Sequence, residues 1–361
     1  MSEKHKRNIF LLIGSMIFGA LNQPAAFAAH GYTGPVTDHF DGEKFYNRVN
    51  SDFSLVDLLR FTLPFNFIKE DWPEWIEGTP RKIPRPRQTG DEISVTFINH
   101  STLLIQVDGV NILTDPIFSE RSSSLSWAGP KRVRSPGVNI EDLPPVDVIL
   151  VSHNHYDHLD IESLKLLQAR NPENQPPLVL SGLGNGLLFE EIGLTQFKDL
   201  DWNQSASYGN MEFVFTETRH RSGRGLTDLN KSLWGGFVIK TRLGNIYFAG
   251  DTAYGPHFAE ARKTHGPFIL SLLPIGAYEP RWFMKVAHMN PKDAVAAHLD
   301  LKSKKSLGIH FGTFQLTYEG IDQPVIDLKK ALKDKQIPDS EFIVPEFGET
   351  RVFKNPSESD R

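Results

Sequence analysis

From Ile93 onward the apolar residues come in short runs separated by turn residues. Ser94–Ile98, Leu103–Val107 and Asn111–Thr114 read as three strands, with Asp108-Gly109 as a hairpin turn between the last two. Val146–Val151 is a β-branched run entered through Pro144-Pro145, the pattern of a short buried strand. Leu178–Leu180, Phe213–Thr216, Trp234–Lys240, Asn245–Ala249, Phe268–Leu273 and Ser306–Ile309 continue the series. Between them, helical spacing of apolar positions predicts helices over Ile161–Ala169, Pro256–Arg262, Pro291–Leu299 and Ile326–Leu332. Gly182, Gly184 and Gly186 lack the spacing and the downstream acid of a dinucleotide loop, so they predict a turn. No internal repeat or low-complexity tract interrupts this texture.

Upstream of Ile93 the pattern is different. Lys4, Lys6 and Arg7 precede the apolar run Ile9–Leu21, and Ala26-Phe27-Ala28 makes a small-x-small site before Ala29. That is the layout of a secretory signal peptide over residues 1–28, the apolar run being short for a membrane span. An uncleaved membrane anchor is the competing reading of the same run. Residues 29–90 predict an extension rather than a core. Within it, Phe53–Trp75 is dense in large apolar side chains, and Leu55, Leu58 and Leu59 suit a short amphipathic helix broken by Pro64. This stretch either packs on the main domain or forms a surface that touches lipid or lines a hydrophobic groove. Thr79–Gln88, with three prolines among four basic residues, predicts a linker. The main domain then spans 91–350, and 351–361 read as a polar tail.

The 361 residues are 39% hydrophobic and 23% charged, an ordinary globular composition long enough for one large domain or two modest ones. A formal net charge of −5 gives no support to a nucleic-acid partner. The chain has no cysteine, which excludes disulfides, thiolate metal ligands and lipoprotein attachment. An exported protein of this kind fits a bacterial periplasm, with membrane association left open.

The chemistry concentrates in Ser152–Asp160, directly after the Val146–Val151 strand. Three imidazoles and a carboxylate fall within six residues: His153, His155, Asp157 and His158. Strand side chains alternate faces, so His153 and His155 project the same way. Asp157 and His158 follow in the turn that opens the next helix. One histidine pair can grip one metal while the Asp-His pair reaches a second. His220, Asp251 and His310 repeat the theme, each shortly after a predicted strand, and together with the first four make a set of seven. Nitrogen and carboxylate ligands without sulfur suit zinc, and also iron or manganese.

The His-x-His-x-Asp-His pattern resembles the marker of the metallo-β-lactamase superfamily. More closely, the chain resembles the branch of N-acyl-phosphatidylethanolamine-hydrolysing phospholipases D, over roughly Trp72 to Glu349. The likeness rests on Thr114–Ser119, Gly129–Arg132, Ser152–Asp160, Ala249–Thr252, Pro274–Lys285 and Ile309–Phe314. The first and third of these occur across many superfamily hydrolases, whereas Pro274–Lys285 is much more specific to the phospholipase. After His220 the chain departs from the family, with Arg221-Ser222-Gly223-Arg224-Gly225 where the phospholipase has a tryptophan and different neighbours.

The resemblance implies an α/β (α+β) fold, a four-layer αβ/βα sandwich, with the site along one edge of two sheets. It implies that His153, His155 and His220 hold one Zn2+, that Asp157, His158 and His310 hold the other, and that Asp251 bridges them. Two dications, two carboxylates and a shared hydroxide would leave about +1, a seat for a phosphodiester monoanion. His288 matches a further histidine of the phospholipase, placed to hydrogen-bond the phosphate or help the leaving oxygen depart; a capping or packing histidine before the Pro291 helix is the competing reading. Asp115 and His100 are candidates for orienting ligand imidazoles, beside an ordinary turn aspartate and a buried histidine. Lys131, Arg132 and Arg134 either meet anionic head groups or form a solvated basic loop. His257, His265 and His298 read as surface or structural residues. The substrate implied is an N-acyl-phosphatidylethanolamine-like phospholipid, cleaved to N-acylethanolamine and phosphatidate, with peripheral membrane contact as a corollary. Another phosphodiester, a lactone or an ester is the alternative. The oligomeric state is open, a dimer included.

Overall fold

Two seven-stranded sheets face each other, and both are wound in the same way. In the computed structural model, which describes residues 30–49, 70–78, 83–170, 175–225 and 227–354, the first sheet begins with an antiparallel meander. Its strands are β1 (Glu92–Asn99), β2 (Thr102–Val107) and β3 (Val110–Thr114). Crossovers then add parallel strands β4 (Val148–Leu150), β5 (Leu178–Gly182) and β6 (Phe197–Leu200). The second sheet repeats the scheme. β7 (Ser205–Tyr208), β8 (Met211–Thr216), β9 (Gly236–Thr241) and β10 (Gly244–Phe248) are antiparallel. β11 (Phe268–Pro274), β12 (Lys305–Ile309) and β13 (Phe342–Ile343) continue from β10 in parallel. Last in sequence, β14 (Thr350–Lys354) returns to the first sheet and pairs antiparallel with β1.

Why the sequence folds this way is plain in β4. It is apolar at every position, and period-two alternation sends its side chains to two different cores. Val148 and Leu150 face the second sheet, among Phe97, Ile105, Phe215 and Phe248. Ile149 and Val151 face outward, beneath α1 (Ile161–Arg170) and α2 (Gly186–Glu191), where they meet Leu164, Leu167 and Phe189. On the far side, α3 (His257–His265), α5 (Pro291–Leu301) and α6 (Gln323–Asp334) pack by Phe258, Ala294, Val295, Leu301 and Leu328. One-turn α4 (Arg281–Met284) sits between β11 and α5. The layers are therefore helix, sheet, sheet, helix, the αβ/βα sandwich expected.

Four strands and two short helices depart from the hydrophobic pattern. β6, β7 and β14 are polar and lie at or near sheet edges, and β13 has two residues. Residues 351–354 of the expected tail belong to β14, because Phe353 is buried, Lys354 pairs with Glu92 at 2.9 Å, and Thr350 and Thr96 share a hydroxyl hydrogen bond of 2.8 Å. The stretch 83–88 is not a free linker either. Buried amides of Gln106 and Asn111 donate to the carbonyls of Arg85 and Pro86, at 2.8 and 2.9 Å. Part of the expected extension is core: Phe40 and Phe45 are fully buried, and Tyr32 N and Phe45 N donate to the carbonyls of Lys231 and Asn230. Trp72 Nε1 donates to the Glu319 carbonyl at 2.9 Å. The expected signal peptide, the apolar positions from Phe53 to Phe67, and residues 79–82 and 355–361 lie outside the described residues. Among the described residues no helix is long and apolar enough to cross a membrane.

The Gly182–Gly186 turn has an occupant of its own. The amides of Gly184, Asn185 and Gly186 all donate to one oxygen of Asp199, at 3.0, 3.0 and 2.8 Å. An oriented set of amides of this kind favours an anion, and here it is an internal carboxylate.

Candidate metal centre

Each site residue follows a strand by a few positions at one edge of the sandwich: Asp115 after β3, His153 to His158 after β4, His220 after β8, Asp251 after β10 and His310 after β12. The backbone there is bent unusually. His100, Asp115 and His310 have φ of 45°, 32° and 62°, a region costly for residues with a side chain and held only where the surroundings determine it. Gly250, at φ 56°, precedes Asp251, and a Cβ on it would approach the Ser152 Cβ to 2.4 Å. Only glycine fits where the Ser152 and Asp251 loops cross.

The seven sequence-derived residues converge. His155 Nδ1 lies 2.8 Å from His153 Nε2 and 3.3 Å from His220 Nε2, which makes one group of imidazoles. In the other, Asp157 Oδ2 lies 3.4 Å from both His158 Nε2 and His310 Nε2. Asp251 Oδ2 is shared: it lies 3.1 Å from His310 Nε2, 3.3 Å from His158 Nε2 and 3.8 Å from His220 Nε2. Donor atoms about a four-coordinate dication with bonds of about 2.0–2.1 Å sit about 3.3 Å apart. Apart from His153 and His155, whose 2.8 Å contact is a hydrogen-bond distance, the spacing is close to that of ligands around an ion.

Unsatisfied atoms make the same point. His158 Nε2, both ring nitrogens of His310 and Asp251 Oδ1 are buried without a hydrogen-bond partner among the described residues. Buried polar groups are seldom left so, because each costs about 1–3 kcal/mol. A cation would satisfy the Nε2 atoms of His158 and His310, which both face Asp157 Oδ2 and Asp251 Oδ2, and with the separate group of His153, His155 and His220 the residues present fit a metal pair.

Supporting contacts fix the rings. Asp115, buried, takes hydrogen bonds from Ser152 N and Ser152 Oγ at 2.7 Å and from His158 Nδ1 at 2.6 Å. That turns His158 Nε2 inward, the arrangement in which a carboxylate orients a metal-binding imidazole. His220 Nδ1 donates to the Ala287 carbonyl at 2.9 Å with the same effect. His100 differs from expectation: its Nε2 lies 3.0 Å from Asp157 Oδ2, so it orients a carboxylate rather than an imidazole.

The electrostatics divide the site. Burial alone would depress His158, but the carboxylates of Asp251, Asp157 and Asp115 hold it well above the usual imidazole value. Burial is likewise outweighed at His310, pushed up to about 9 chiefly by Asp251 and Asp157. Burial would raise Asp157 and Asp251, yet His158 and His310 hold both well below the carboxylate range. His153 and His155 are held well below the imidazole range by burial and neighbouring imidazoles, and His220 falls to about 4, burial outweighing Asp251. Protons on His158 and His310 balance the two carboxylates as a dication would.

His288 stands on the open side of this cluster, its Nδ1 3.7 Å from Asp251 Oδ2 and its ring 5.0 Å from that of His220. Burial keeps it well below the usual imidazole value. The Pro274–Lys285 block helps to hold it, since Arg281 Nη1 donates to the His288 carbonyl at 2.7 Å and also pairs with Asp293. Lys131 is exposed and paired with Glu120, whereas Arg132 is buried and donates to the carbonyls of Ser119 and Ile117 at 2.9 and 3.1 Å. Arg134 lies over the Phe347 ring at 4.1 Å. These three are not one solvated basic loop. His257 and His298 are buried, the latter bonded to Ser306 Oγ at 2.8 Å, which makes them structural.

Sequence reading missed two kinds of support. Arg224 Nη1 donates to the carbonyls of Asn154 and Leu159, at 3.0 and 2.7 Å, with its guanidinium 4.1 Å over Tyr156. It clamps the whole histidine loop. Asn47, from the N-terminal segment, bonds the backbone of His220. Neither residue type announces such a role.

A fold of this kind, with imidazoles and carboxylates of two sheets meeting at one edge, defines a class of metal-dependent hydrolases. The chain matches a Beta-lactamase superfamily domain over residues 110–311 and belongs to the metallo-β-lactamase superfamily of metal-dependent hydrolases. It is 36% identical over 263 residues to N-acyl-phosphatidylethanolamine-hydrolyzing phospholipase D 1 of Caenorhabditis elegans, covering 70% of this chain and 74% of that one. It is 34% identical over 266 residues to the mitochondrial N-acyl-phosphatidylethanolamine-hydrolyzing phospholipase D of Saccharomyces cerevisiae, covering 72% and 55%. The isothiocyanate hydrolase from Delia radicum gut bacteria shares the fold, with a TM-score of 0.55 and 19% identity over 73% of this chain and 99% of that one.

Proposed function

We propose that this chain is a dinuclear zinc phosphodiesterase of phospholipase D type. Its substrate would be an N-acyl-phosphatidylethanolamine-like phospholipid, hydrolysed to an N-acylethanolamine and a phosphatidate. The observation that carries the reading is the shared Oδ2 of Asp251, close to imidazoles of both donor groups. Two cation seats joined by one carboxylate suit displacement at phosphorus, where entering and leaving oxygens both need neutralising. The lipid is supported by the two phospholipase relatives and by the Pro274–Lys285 block.

His153, His155 and His220 would hold one zinc, Asp157, His158 and His310 the other, and Asp251 both. When bound, the pair supplies an activated water and neutralises charge developing on phosphorus. The chain's own residues do the rest. With two dications bound, the carboxylates of Asp157 and Asp251 would leave the centre positive, a seat for a phosphodiester monoanion. Asp115, Ser152 and the Ala287 carbonyl keep the rings of His158 and His220 from rotating. His288, held neutral by burial, suits a hydrogen bond to a phosphate oxygen better than the role of a proton donor.

The test is an assay of zinc-loaded protein on N-acyl-phosphatidylethanolamine in detergent, beside bis(p-nitrophenyl) phosphate, a lactone and a cephalosporin. Release of N-acylethanolamine supports the reading. Turnover of the lactone or the cephalosporin alone overturns it. Export is part of the proposal, carried by residues 1–28. The amino terminus of protein recovered from a bacterial periplasm should be Ala29.

A further inference from the structure

We propose that the N-terminal segment 30–49, which lies outside the matched 110–311 domain, is a working part of the metal centre, with Asn47 as a positioning residue for His220. The Asn47 side chain is an amide, and it meets the backbone of His220 as a second strand would. Its Nδ2 donates to the His220 carbonyl at 2.8 Å, and its Oδ1 accepts from His220 N at 3.2 Å. The same Oδ1 accepts from the indole of buried Trp234 at 3.2 Å, which fixes the amide's orientation. His220 is thereby held at both ends: Asn47 fixes its backbone, and the Ala287 carbonyl fixes its ring through Nδ1. Nε2 is left facing His155 and Asp251.

The segment carrying Asn47 is docked by independent contacts. Phe40 and Phe45 are buried in the main core. His39 bonds Asp201 at 2.7 Å and stacks on Trp202 with ring centroids 4.5 Å apart. Arg48, next to Asn47, pairs with Glu217 at 2.6 Å, three residues before His220. Segment and ligand loop are therefore packed together by several independent contacts. Metal affinity at the His153, His155 and His220 group and docking of 30–49 become linked quantities, and linkage is reciprocal: whatever docking adds to metal affinity, metal adds to docking. Contacts that orient a ligand from behind are typically worth about 10–100-fold in metal affinity.

The inference rests on His220 being a ligand, as proposed, and the experiment separates the two. Full-length protein is titrated with zinc against a chromophoric chelator, as wild type, Asn47→Ala, Asn47→Asp and His220→Ala. Asn47→Ala should weaken one of the two zincs by about 10–100-fold and leave the other unchanged. Asn47→Asp keeps the acceptor but turns a carboxylate oxygen against the His220 carbonyl, so it should weaken the same zinc as well. Unchanged affinities in both Asn47 variants, or equal loss of both zincs, overturn the inference. Two unchanged zincs in His220→Ala would instead overturn the ligand assignment. A variant that fails to fold leaves a second measurement on wild type. Amide exchange in residues 30–49 should slow on zinc loading, and identical exchange with and without zinc overturns the coupling.

Discussion

Asp251 is the residue on which both halves of the site depend, because one of its oxygens faces imidazoles of both groups. Asp251→Asn keeps the shape and removes the charge. Turnover of bis(p-nitrophenyl) phosphate should fall by at least about 10³-fold, equivalent to about 4 kcal/mol of transition-state stabilisation, and bound metal should drop below two per chain. Equal turnover in the two proteins would sink the catalytic account. Asp115 acts one layer back. Asp115→Ala frees His158 Nδ1 and leaves Ser152 N without its acceptor. Metal affinity should fall by about 10–100-fold, measured by chelator competition. The cluster of seven was legible in the sequence because three imidazoles and a carboxylate within six residues are rare, and three more such groups after other strands are hard to explain as packing. Asn47 and the Ala287 carbonyl were not legible, since a hydrogen bond to or from backbone leaves no signature in residue type.

Among the elements, what could be read was what is apolar on both faces. β4 and β11 announce themselves, whereas β6, β7 and β14 carry polar side chains toward solvent and are specified by pairing with a neighbour rather than by pattern. The start of α1 depends on Asp160, just before Ile161. Its carboxylate accepts from Phe118 N at 3.3 Å, Ser119 N at 3.1 Å, Ser119 Oγ at 2.9 Å and Ser163 Oγ. Asp160→Ala strands the Ser119 amide, while Phe118 N keeps Ser163 Oγ at 2.8 Å, so it should cost about 1–3 kcal/mol, seen as a shifted midpoint in denaturant with an unchanged slope. The segment 30–49 carries a pH dependence of its own. Burial opposes charge on His39, but the hydrogen bonds to Asp201 and Asp38 raise its pKa above the ordinary 6.5. Asp38, Asp201 and Glu217 face it, with Arg48 as the nearby cation. A raised histidine contributes fully below about pH 6.5 and loses that contribution as pH rises through its folded value. Cleavage of 30–49 by protease should therefore quicken from pH 6.5 to 9. His39→Gln should remove that slope, and a slope that persists in the variant would assign it to another group.

At the scale of the molecule, the site joins the sheets. His153, His155, Asp157 and His158 leave the first sheet after β4, while His220, Asp251 and His310 leave the second after β8, β10 and β12. The interior between the sheets is held by aromatic and aliphatic packing that needs no metal, including Phe97, Phe215, Phe237 and Phe248, all fully buried. At the edge, the contacts are seven titratable groups and several unsatisfied atoms. Metal removal should thus open one edge and leave the core folded. A site at a thousand times its dissociation constant contributes about 4 kcal/mol, which for a domain of this size moves the melting point by on the order of 10 °C. Chelation should lower the midpoint by that order, and zinc should restore it. Amide exchange should then quicken in 152–160, 218–224 and 250–252 while β2, β9 and β11 stay protected. Identical melting curves with and without chelator would mean that the two sheets close at this edge without metal, with protons on His158 and His310 balancing Asp157 and Asp251.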